Sequence, residues 1–368
     1  MTPVARFEIN YSQFLDEHGH VVRALPSFAQ DASGLTELYR WMVLIRTYDA
    51  KAIALQRTGQ LGTYAPLLGQ EAIQAGIGSA MRADDVFLMT YREQGAQLMR
   101  GVKMSDLFLY WSGDERGSDY SGSRHDFPIC VTIAAHVTHA AGAAYAIKLR
   151  RESRAVVCAL GDGATSKGDF YEGMNAAGVW QLPLVFFVSN NQWAISVPRS
   201  AQTAAETLAQ KAIAAGIPCE QIDGNDLVAV REALDRTLEK ARSGGGPSLI
   251  EALTYRLSDH TTADDATRYR SPDETAEAWK RDPILRMRNY LNGIGAWDKA
   301  RDETLHRECN DRVQAAVQEY IDTPPPAPGA MFEHLYAQFP VALESQRTDL
   351  DACVSAAPSA AGAGAEQV

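Results

Sequence analysis

With 368 residues, 46% of them hydrophobic, the chain can hold one large or two medium domains around a substantial core. Its formal net charge of −11, with no basic stripe or stacking platform, argues against nucleic acid as a partner. Apolar runs fall far short of the ~18 residues of a membrane span, and the first ten residues resemble neither a signal nor a transit peptide, so a soluble, cytoplasmic, bacterial protein without a membrane partner is expected.

Residues 1–34 lack clear periodicity and read as an extended arm lying on the surface or on a partner. Over 35–56, Leu38, Trp41, Met42, Leu44, Ile45, Tyr48 and Ile53 recur at helical spacing and predict an amphipathic helix. A second helix is expected from about Gln70, after the turn Tyr64-Ala65-Pro66-Leu67-Leu68-Gly69, and a third over about 94–100, behind Thr90-Tyr91-Arg92-Glu93. Residues 112–126, dense in Gly, Ser, Asp and Arg, are too polar and too long for a tight turn and point to a functional or mobile loop. Residues 128–134 read as a strand leading into a small-residue helix over 140–150.

Next comes a bipartite pattern. Ala155-Val156-Val157-Cys158-Ala159-Leu160 and Leu184-Val185-Phe186-Phe187-Val188-Ser189 have the length and the β-branched or aromatic content of strands buried on both faces. The first ends in Gly161-Asp162-Gly163 and the second in Asn190-Asn191. Between them a helix opens at Asp169, with Glu172 as capping-box partner and Pro183 beyond its end. The whole reads as one βαβ unit, whose parallel strands end on the sheet edge where open α/β sheets bind ligands, so Asp162 and Asn191 are expected to meet there. A carboxylate, an amide oxygen and a nearby main-chain carbonyl are hard donors, suited to Mg2+ or Ca2+ rather than zinc, with phosphate oxygens completing the shell. The flanking glycines let backbone come close to phosphate. Gly-Asp-Gly by itself is an ordinary turn; the Asn-Asn pair ending the next strand turns it into a candidate metal-diphosphate site.

Further on, 200–216 reads as helix, 220–224 as strand and turn, 227–242 as helix and 247–257 as the final strand. A polar loop over 255–271 carries His260, Asp264, Asp265, Arg268, Tyr269 and Arg270. Helices follow to about 321. A Pro-rich linker, 323–329, precedes a last helix over 331–339, the two making up a segment 323–353, and the Ala/Gly/Ser-rich tail 354–368 is expected to be disordered. The fold class is therefore α/β, a mostly parallel sheet flanked by helices over 35–322 with helical extensions at both ends. Cys130, Cys158, Cys219, Cys309 and Cys353 are odd in number and in no CxxC arrangement, so reduced, mostly buried thiols are expected.

The run Gly161-Asp162-Gly163-Ala164-Thr165-Ser166-Lys167-Gly168-Asp169-Phe170-Tyr171-Glu172-Gly173 through Asn190-Asn191-Gln192-Trp193-Ala194-Ile195-Ser196 resembles the thiamine-diphosphate motif. More narrowly, it is similar to that of the α subunit of the E1 component of 2-oxo acid dehydrogenase complexes. The likeness continues in Leu68-Gly69-Gln70-Glu71-Ala72, Thr90-Tyr91-Arg92-Glu93, Leu208-Ala209-Gln210-Lys211-Ala212, Gly246-Pro247-Ser248-Leu249-Ile250-Glu251 and Asp259-His260-Thr261 to Thr267-Arg268-Tyr269-Arg270, covering roughly 35–340 in order. The resemblance implies the thiamine-diphosphate-binding fold and Mg2+ held by the Asp162 carboxylate, the Asn191 side chain and the main-chain carbonyl of Trp193. It places Tyr91 and Arg92 on the diphosphate, where a guanidinium fork meets phosphate oxygens bidentately. Gly163 and Ala164 would offer N–H groups to phosphate, and the main chain around Val131 and Ile133 would touch the aminopyrimidine. His260 would face the thiazolium as a catalytic residue, orienting substrate and transferring protons near neutral pH. Without the motif these would read as a surface arginine, a turn, a buried strand and an incidental loop histidine.

The reaction implied is oxidative decarboxylation of a 2-oxo acid on thiamine diphosphate, followed by reductive acyl transfer to the lipoyl domain of E2. In the family the glutamate that activates the pyrimidine comes from a separate E1 β subunit. This chain is too short for both halves, so it is expected to be inactive alone and to work as an α2β2 heterotetramer with two cofactors between α and β. Two departures stand out: Tyr64-Ala65-Pro66 replaces the histidine-bearing turn of mitochondrial-type members, and Thr261 stands where those have a regulatory phosphoserine. His125, His136 and His139 match no catalytic position and read as structural or solvated.

Pyruvate is the first choice of substrate, from the 208–218 segment and the Tyr91-Arg92-Glu93 context. Branched-chain 2-oxo acids come next, because 190–196 also suits that subfamily, and acetoin third. A non-catalytic cofactor-binding assembly subunit is opposed by the intact set Asp162, Asn191, Arg92 and His260. A NAD-binding Rossmann domain is disfavoured, since Gly161-Asp162-Gly163 lacks the GxGxxG spacing and sets an acid where pyrophosphate would lie.

Overall fold

Alternate residues of the two predicted strands go to two separate cores. Val157, Ala159, Val185 and Phe187 join one apolar cluster, whereas Val156, Cys158, Leu160, Leu184, Phe186 and Val188 join another on the opposite face. That is the period-2 signature of strands covered on both sides. The computed structural model describes residues 2–120, 122, 124–333 and 335–356, and the chain divides into two units, Met1–Tyr320 and Ile321–Val368.

In the first unit the strands are β1 (Tyr11–Ser12), β2 (Val86–Leu88), β3 (Val156–Gly161), β4 (Leu184–Asn190), β5 (Trp193–Ala194), β6 (Val197–Pro198), β7 (Cys219–Asp223) and β8 (Ser248–Leu253). Six of them form one parallel sheet in the order β1-β7-β8-β4-β3-β2, and β5 and β6 make a separate antiparallel hairpin. All residues of β4 are buried. Each of its large apolar side chains contributes ~1.5–3 kcal/mol on burial. Its two polar residues are Ser189 and Asn190, and Asn190 Nδ2 donates to the buried Glu251 on β8 at 2.7 Å.

Helices α1 (Ala32–Arg57), α2 (Glu71–Ala80), α3 (Gln94–Met99) and α4 (Met104–Ser112) belong to the first face, and α5 (Ala135–Arg150) and α6 (Gly168–Trp180) pack on the second. They are followed by α7 (Arg199–Gln202), α8 (Leu227–Arg242), α9 (Pro272–Trp279), α10 (Pro283–Gly293) and α11 (Lys299–Ile321). Among the described residues no helix is long and apolar enough to cross a membrane.

Several expectations are corrected here. The 128–134 stretch, with Val131 and Ile133, is not a strand: it runs irregularly beside β2, held by Phe127 N–H to the Phe87 carbonyl and Cys130 N–H to the Met89 carbonyl. Its apolar run misled because Val131 is left 59% exposed and Ile133 39% exposed. The capping box at Asp169 does not form, since α6 starts one residue earlier behind Lys167 and Asp169 sits in the first turn beside the helix dipole. Residues 200–216 are α7, irregular backbone and a 3-10 segment, Ala209–Ala215, rather than one helix. The arm is threaded into the fold: β1 pairs with β7, and Phe14 and Leu15 enter the core. Ser121 and Ser123 of the 112–126 loop lie outside the described residues; its described part carries a 3-10 turn, Glu115–Ser118, and Asp126, which makes a buried ion pair with Arg100 at 2.6 Å. Only Cys158 and Cys309 are buried thiols; Cys130 and Cys219 are part-buried and Cys353 is exposed.

The described residues of the second unit, taken alone, include 3-10 turns at Pro328–Phe332 and Val341–Leu343 and the helix α12 (Glu344–Ala356). None of its described residues is buried. The helix expected over 331–339 therefore lies later in the chain. Leu335 and Tyr336 are exposed, so no packing supports a helix there, and Phe339 instead meets Phe332 edge-on at 5.6 Å and lies under the Arg347 guanidinium at 4.2 Å. Of the tail expected to be disordered, residues 354–356 finish α12 and residues 357–368 lie outside those described.

Candidate active site

Four neighbouring strands end on one edge of the sheet, and the residues just past their C-terminal ends line a single cavity of about 450 Å³. The turn after β2 brings Thr90, Tyr91, Arg92 and Glu93; the turn after β3 brings Asp162, Gly163 and Ala164; the segment after β4 brings Asn191, Trp193, Ala194 and Ile195; and the loop after β8 brings His260. This is where an open parallel sheet binds ligands. Of the residues proposed from the sequence, Tyr91, Arg92, Ile133, Asp162, Gly163, Ala164, Asn191, Trp193 and His260 line the cavity, and Val131 does not.

The in-register pairing of β3 and β4, with Gly161 opposite Ser189, carries Asp162 and Asn191 to the same level of this edge. Asp162 opens a 3-10 turn, Asp162–Ser166, and is 2% exposed. Thr165 Oγ1 donates to the Asp162 carbonyl at 2.8 Å, and Lys211 Nζ donates to the Thr165 carbonyl and hydroxyl, both at 2.9 Å, bracing the turn from below. Burial pushes the Asp162 carboxyl above its usual range, opposed by the Gln202 side chain, whose Nε2 donates to Oδ2 at 2.8 Å. Gly163 is required by space: a Cβ there would stand 2.7 Å from the Ala194 Cβ.

Asn191 is 6% exposed, and its Oδ1 accepts the Trp193 N–H at 3.3 Å. The Trp193 carbonyl accepts from Arg256 Nη1 at 3.1 Å and retains a second lone pair. Ile195 lines the cavity from the tight β5–β6 hairpin with φ +54°, a left-handed conformation strained for a β-branched residue.

Arg92 is 5% exposed. Its Nη1 donates to the Pro66 carbonyl, and its Nη2 donates to the His260 carbonyl at 3.0 Å. The guanidinium lies 5.4 Å from the Tyr91 ring centroid, and Tyr91 meets His260 edge-on at 5.9 Å. His260 Nδ1 is 3.3 Å from Arg92 Nη2 and 3.3 Å from Arg256 Nη1. Both neighbours are obligate donors, so Nδ1 is assigned as the acceptor and Nε2 carries the proton. Burial, then Arg92 and Arg256, push His260 down to about 3, so the imidazole is neutral at neutral pH.

Sequence reasoning missed several residues. Arg256, fully buried, donates also to the Ile195 carbonyl at 2.8 Å and accompanies His260; its position just past β8 was the available signal. Gln70 and Ser189 line the cavity with Gln70 Nε2 and Ser189 Oγ buried and without a protein hydrogen-bond partner. Buried polar atoms are normally paired, so these two are unsatisfied donors set behind the cavity wall. Ser166 and Lys167 complete that wall. His136 is structural, with Nε2 at 2.8 Å from the Ala159 carbonyl, while His125 and His139 are exposed.

Among the described residues no three His, Cys, Asp or Glu side chains are placed to share a metal. A cation here would rest on one carboxylate with amide and main-chain oxygens, a set that fits Mg2+ completed by phosphate. A family model described as "Dehydrogenase E1 component" matches residues 39–329. The pyruvate dehydrogenase E1 component subunit alpha of Staphylococcus aureus (strain Mu50 / ATCC 700699) is 40% identical over 337 residues, covering 91% of this chain and 90% of the relative. Its counterpart from Staphylococcus epidermidis (strain ATCC 12228 / FDA PCI 1200) is 39% identical over the same shares. This chain belongs to the dehydrogenase E1 component family.

Proposed function

We propose that the chain is the α subunit of a pyruvate dehydrogenase E1 component, acting with thiamine diphosphate and Mg2+ in the bacterial cytoplasm on a 2-oxo acid and on the lipoyl domain of E2. The observation that carries this reading is the gathering of Asp162, Asn191, Trp193, Arg92 and His260 around one cavity. Asp162, Asn191 and the Trp193 carbonyl would hold the metal, and Arg92 with the N–H groups of Gly163 and Ala164 would hold the diphosphate. When bound, the thiazolium supplies the carbon nucleophile and the electron sink for loss of CO2. His260, neutral with its proton on Nε2, donates a hydrogen bond to an oxygen of substrate without adding a charge to the site. Ile133, Ala134 and Ile195 add an apolar wall beside it.

A partner is supported by what the wall lacks. Its two acids are both engaged, Glu93 Oε2 by the Thr90 N–H at 2.8 Å and hydroxyl at 2.6 Å, and Asp162 by Gln202. A carboxylate for the pyrimidine ring would therefore come from an E1 β subunit, in an α2β2 assembly. Co-expression with an E1 β chain, and assay of pyruvate against 3-methyl-2-oxobutanoate with a dye acceptor, tests the reading. Preference for pyruvate is expected, with no turnover by α alone; preference for the branched acid would move the chain to that subfamily, and turnover by purified α would overturn the shared site.

A further inference from the structure

Asp49, on α1, is 1% exposed and has no part in the chemistry above. Its Oδ1 accepts the Leu67 N–H at 2.9 Å and lies 2.7 Å from Tyr64 Oη, which in turn lies 2.7 Å from Gln94 Oε1. The Gln94 amide can be oriented only one way, because its Nε2 donates to the carbonyls of Tyr91 at 2.7 Å and Ala65 at 3.3 Å, leaving Oε1 as an acceptor. Two short O···O contacts in series need two protons. Tyr64 has one, and the Asp49 carboxyl is the place for the other: Asp49 O–H donates to Tyr64 Oη, and Tyr64 O–H donates to Gln94 Oε1.

The surroundings agree with a protonated acid. Burial pushes Asp49 up to about 7, opposed by its bonds to Leu67 and Tyr64, with Glu71 on α2 adding to the rise and Arg92, before α3, opposing it. Glu71 is itself paired with Arg46 at 2.8 Å. Tyr48 on α1 and Tyr64 are pushed far above the ordinary tyrosine range by burial and carry no charge.

Both halves of the candidate site hang on the turn this chain of bonds secures. The Pro66 carbonyl accepts Arg92 Nη1. Tyr64 N–H donates to Thr262 Oγ1 at 3.0 Å, and the Tyr64 carbonyl accepts the Thr262 N–H at 2.8 Å, two residues beyond His260. Gln94 holds the Tyr91 carbonyl. We propose that Asp49 is a positioning residue whose protonated carboxyl, through Tyr64 and Gln94, locks the 64–67 turn and so sets Arg92 and the His260 loop at the spacing a diphosphate ligand needs. This rests on the diphosphate reading of the cavity. Once Asp49 is ionised, one hydroxyl proton faces two acceptors, one contact becomes repulsive, and affinity for the diphosphate falls.

The test uses the full chain with its β partner and measures thiamine diphosphate affinity with Mg2+ from about pH 6 to about pH 9, the ionisation range of a buried acid. In the unsubstituted protein, affinity is expected to drop severalfold across this range. Asp49→Asn, whose amide keeps a donor at every pH, flattens that drop, and Tyr64→Phe weakens binding about tenfold throughout, the worth of one buried hydrogen bond. A difference infrared spectrum of the full chain against Asp49→Asn should lose one protonated-carboxyl stretch at neutral pH. An unchanged pH slope in Asp49→Asn, or no lost stretch, overturns the proposal. If the unsubstituted protein fails to bind thiamine diphosphate at all, the cofactor reading falls, and the infrared difference still decides whether Asp49 carries the proton.

Discussion

His260 Nδ1 lies 3.3 Å from Nη2 of Arg92, so the lone pair of the imidazole faces a guanidinium. Arg256 approaches the same atom at the same distance. Two cations at one ring nitrogen, in a buried setting, hold a second proton off the imidazole.

From this follows a dependence on ligand. His260 is held down to about 3 by burial, Arg92 and Arg256, and pyrophosphate or thiamine diphosphate binding would neutralise part of that positive field. Its pKa is expected to rise when either ligand is added, and to be higher in free Arg92→Gln than in the unsubstituted chain, both read by NMR titration of the ring. A folded pKa below the usual histidine value means that the unfolded chain binds the extra proton. The associated stability is thus full above about 6.5 and is lost as pH falls toward about 3. His260→Gln should make acid unfolding shallower over that window. Titration of His260 near 6.5 in the free chain would refute the arrangement.

Asp162 supplies the second prediction. A carboxyl that is 2% exposed and pushed up by burial is costly until a cation meets it. Asp162→Ala is expected to abolish metal-dependent binding of thiamine diphosphate in the αβ assembly while leaving thermal stability equal or higher. His260→Ala is expected to keep that binding and lose turnover. Calorimetry with and without Mg2+ separates the two, and normal binding by Asp162→Ala would remove the metal assignment.

Much of this arrangement was legible in the chain because it is written in local pattern. Apolar runs of strand length gave β3 and β4, and parallel strands ending together put Asp162 beside Asn191. What was not legible depends on long-range packing. Arg256 is a charged residue that sequence reading assigns to solvent, and only the fold shows it buried against the Trp193 and Ile195 carbonyls. The 128–134 stretch has strand composition, yet β2 at the sheet edge is continued by irregular backbone that leaves Val131 exposed. The misplaced C-terminal helix has the same origin: among the described residues of 331–339 none is buried, and a short helix without packing is not stable.

Gly163 gives a steric test. An added Cβ would meet the Ala194 Cβ at 2.7 Å, which forces the 162–166 turn and the β5–β6 hairpin apart. Gly163→Ala is expected to cost about 1–3 kcal/mol of stability, the usual range for overpacking, and to weaken cofactor binding. The double variant Gly163→Ala with Ala194→Gly should recover most of both losses. Absence of recovery in urea unfolding would show that clearance from Ala194 is not what the glycine provides.

The N-terminal arm supplies the last prediction, because one carboxylate holds the main chain of both its core residues. Asp226 Oδ2 accepts the N–H groups of Phe14 at 2.6 Å and Leu15 at 2.9 Å, while Oδ1 accepts the Val228 N–H at 3.0 Å and so caps α8. Burial pushes its pKa up to about 6, so at neutral pH the charge is present at a desolvation cost that these three donors offset. Asp226→Ala removes a helix cap worth ~1 kcal/mol and leaves two buried N–H groups unpaired at ~1–3 kcal/mol each. A net loss of about 2–5 kcal/mol is expected. Deletion of residues 2–12 removes β1 yet keeps the Phe14–Leu15 anchor, and should cost less stability while exposing the β7 edge to association. Urea unfolding ranks the two, with light scattering reporting the exposed edge. A larger loss from the deletion than from Asp226→Ala would place the arm's attachment in the β1–β7 pairing instead.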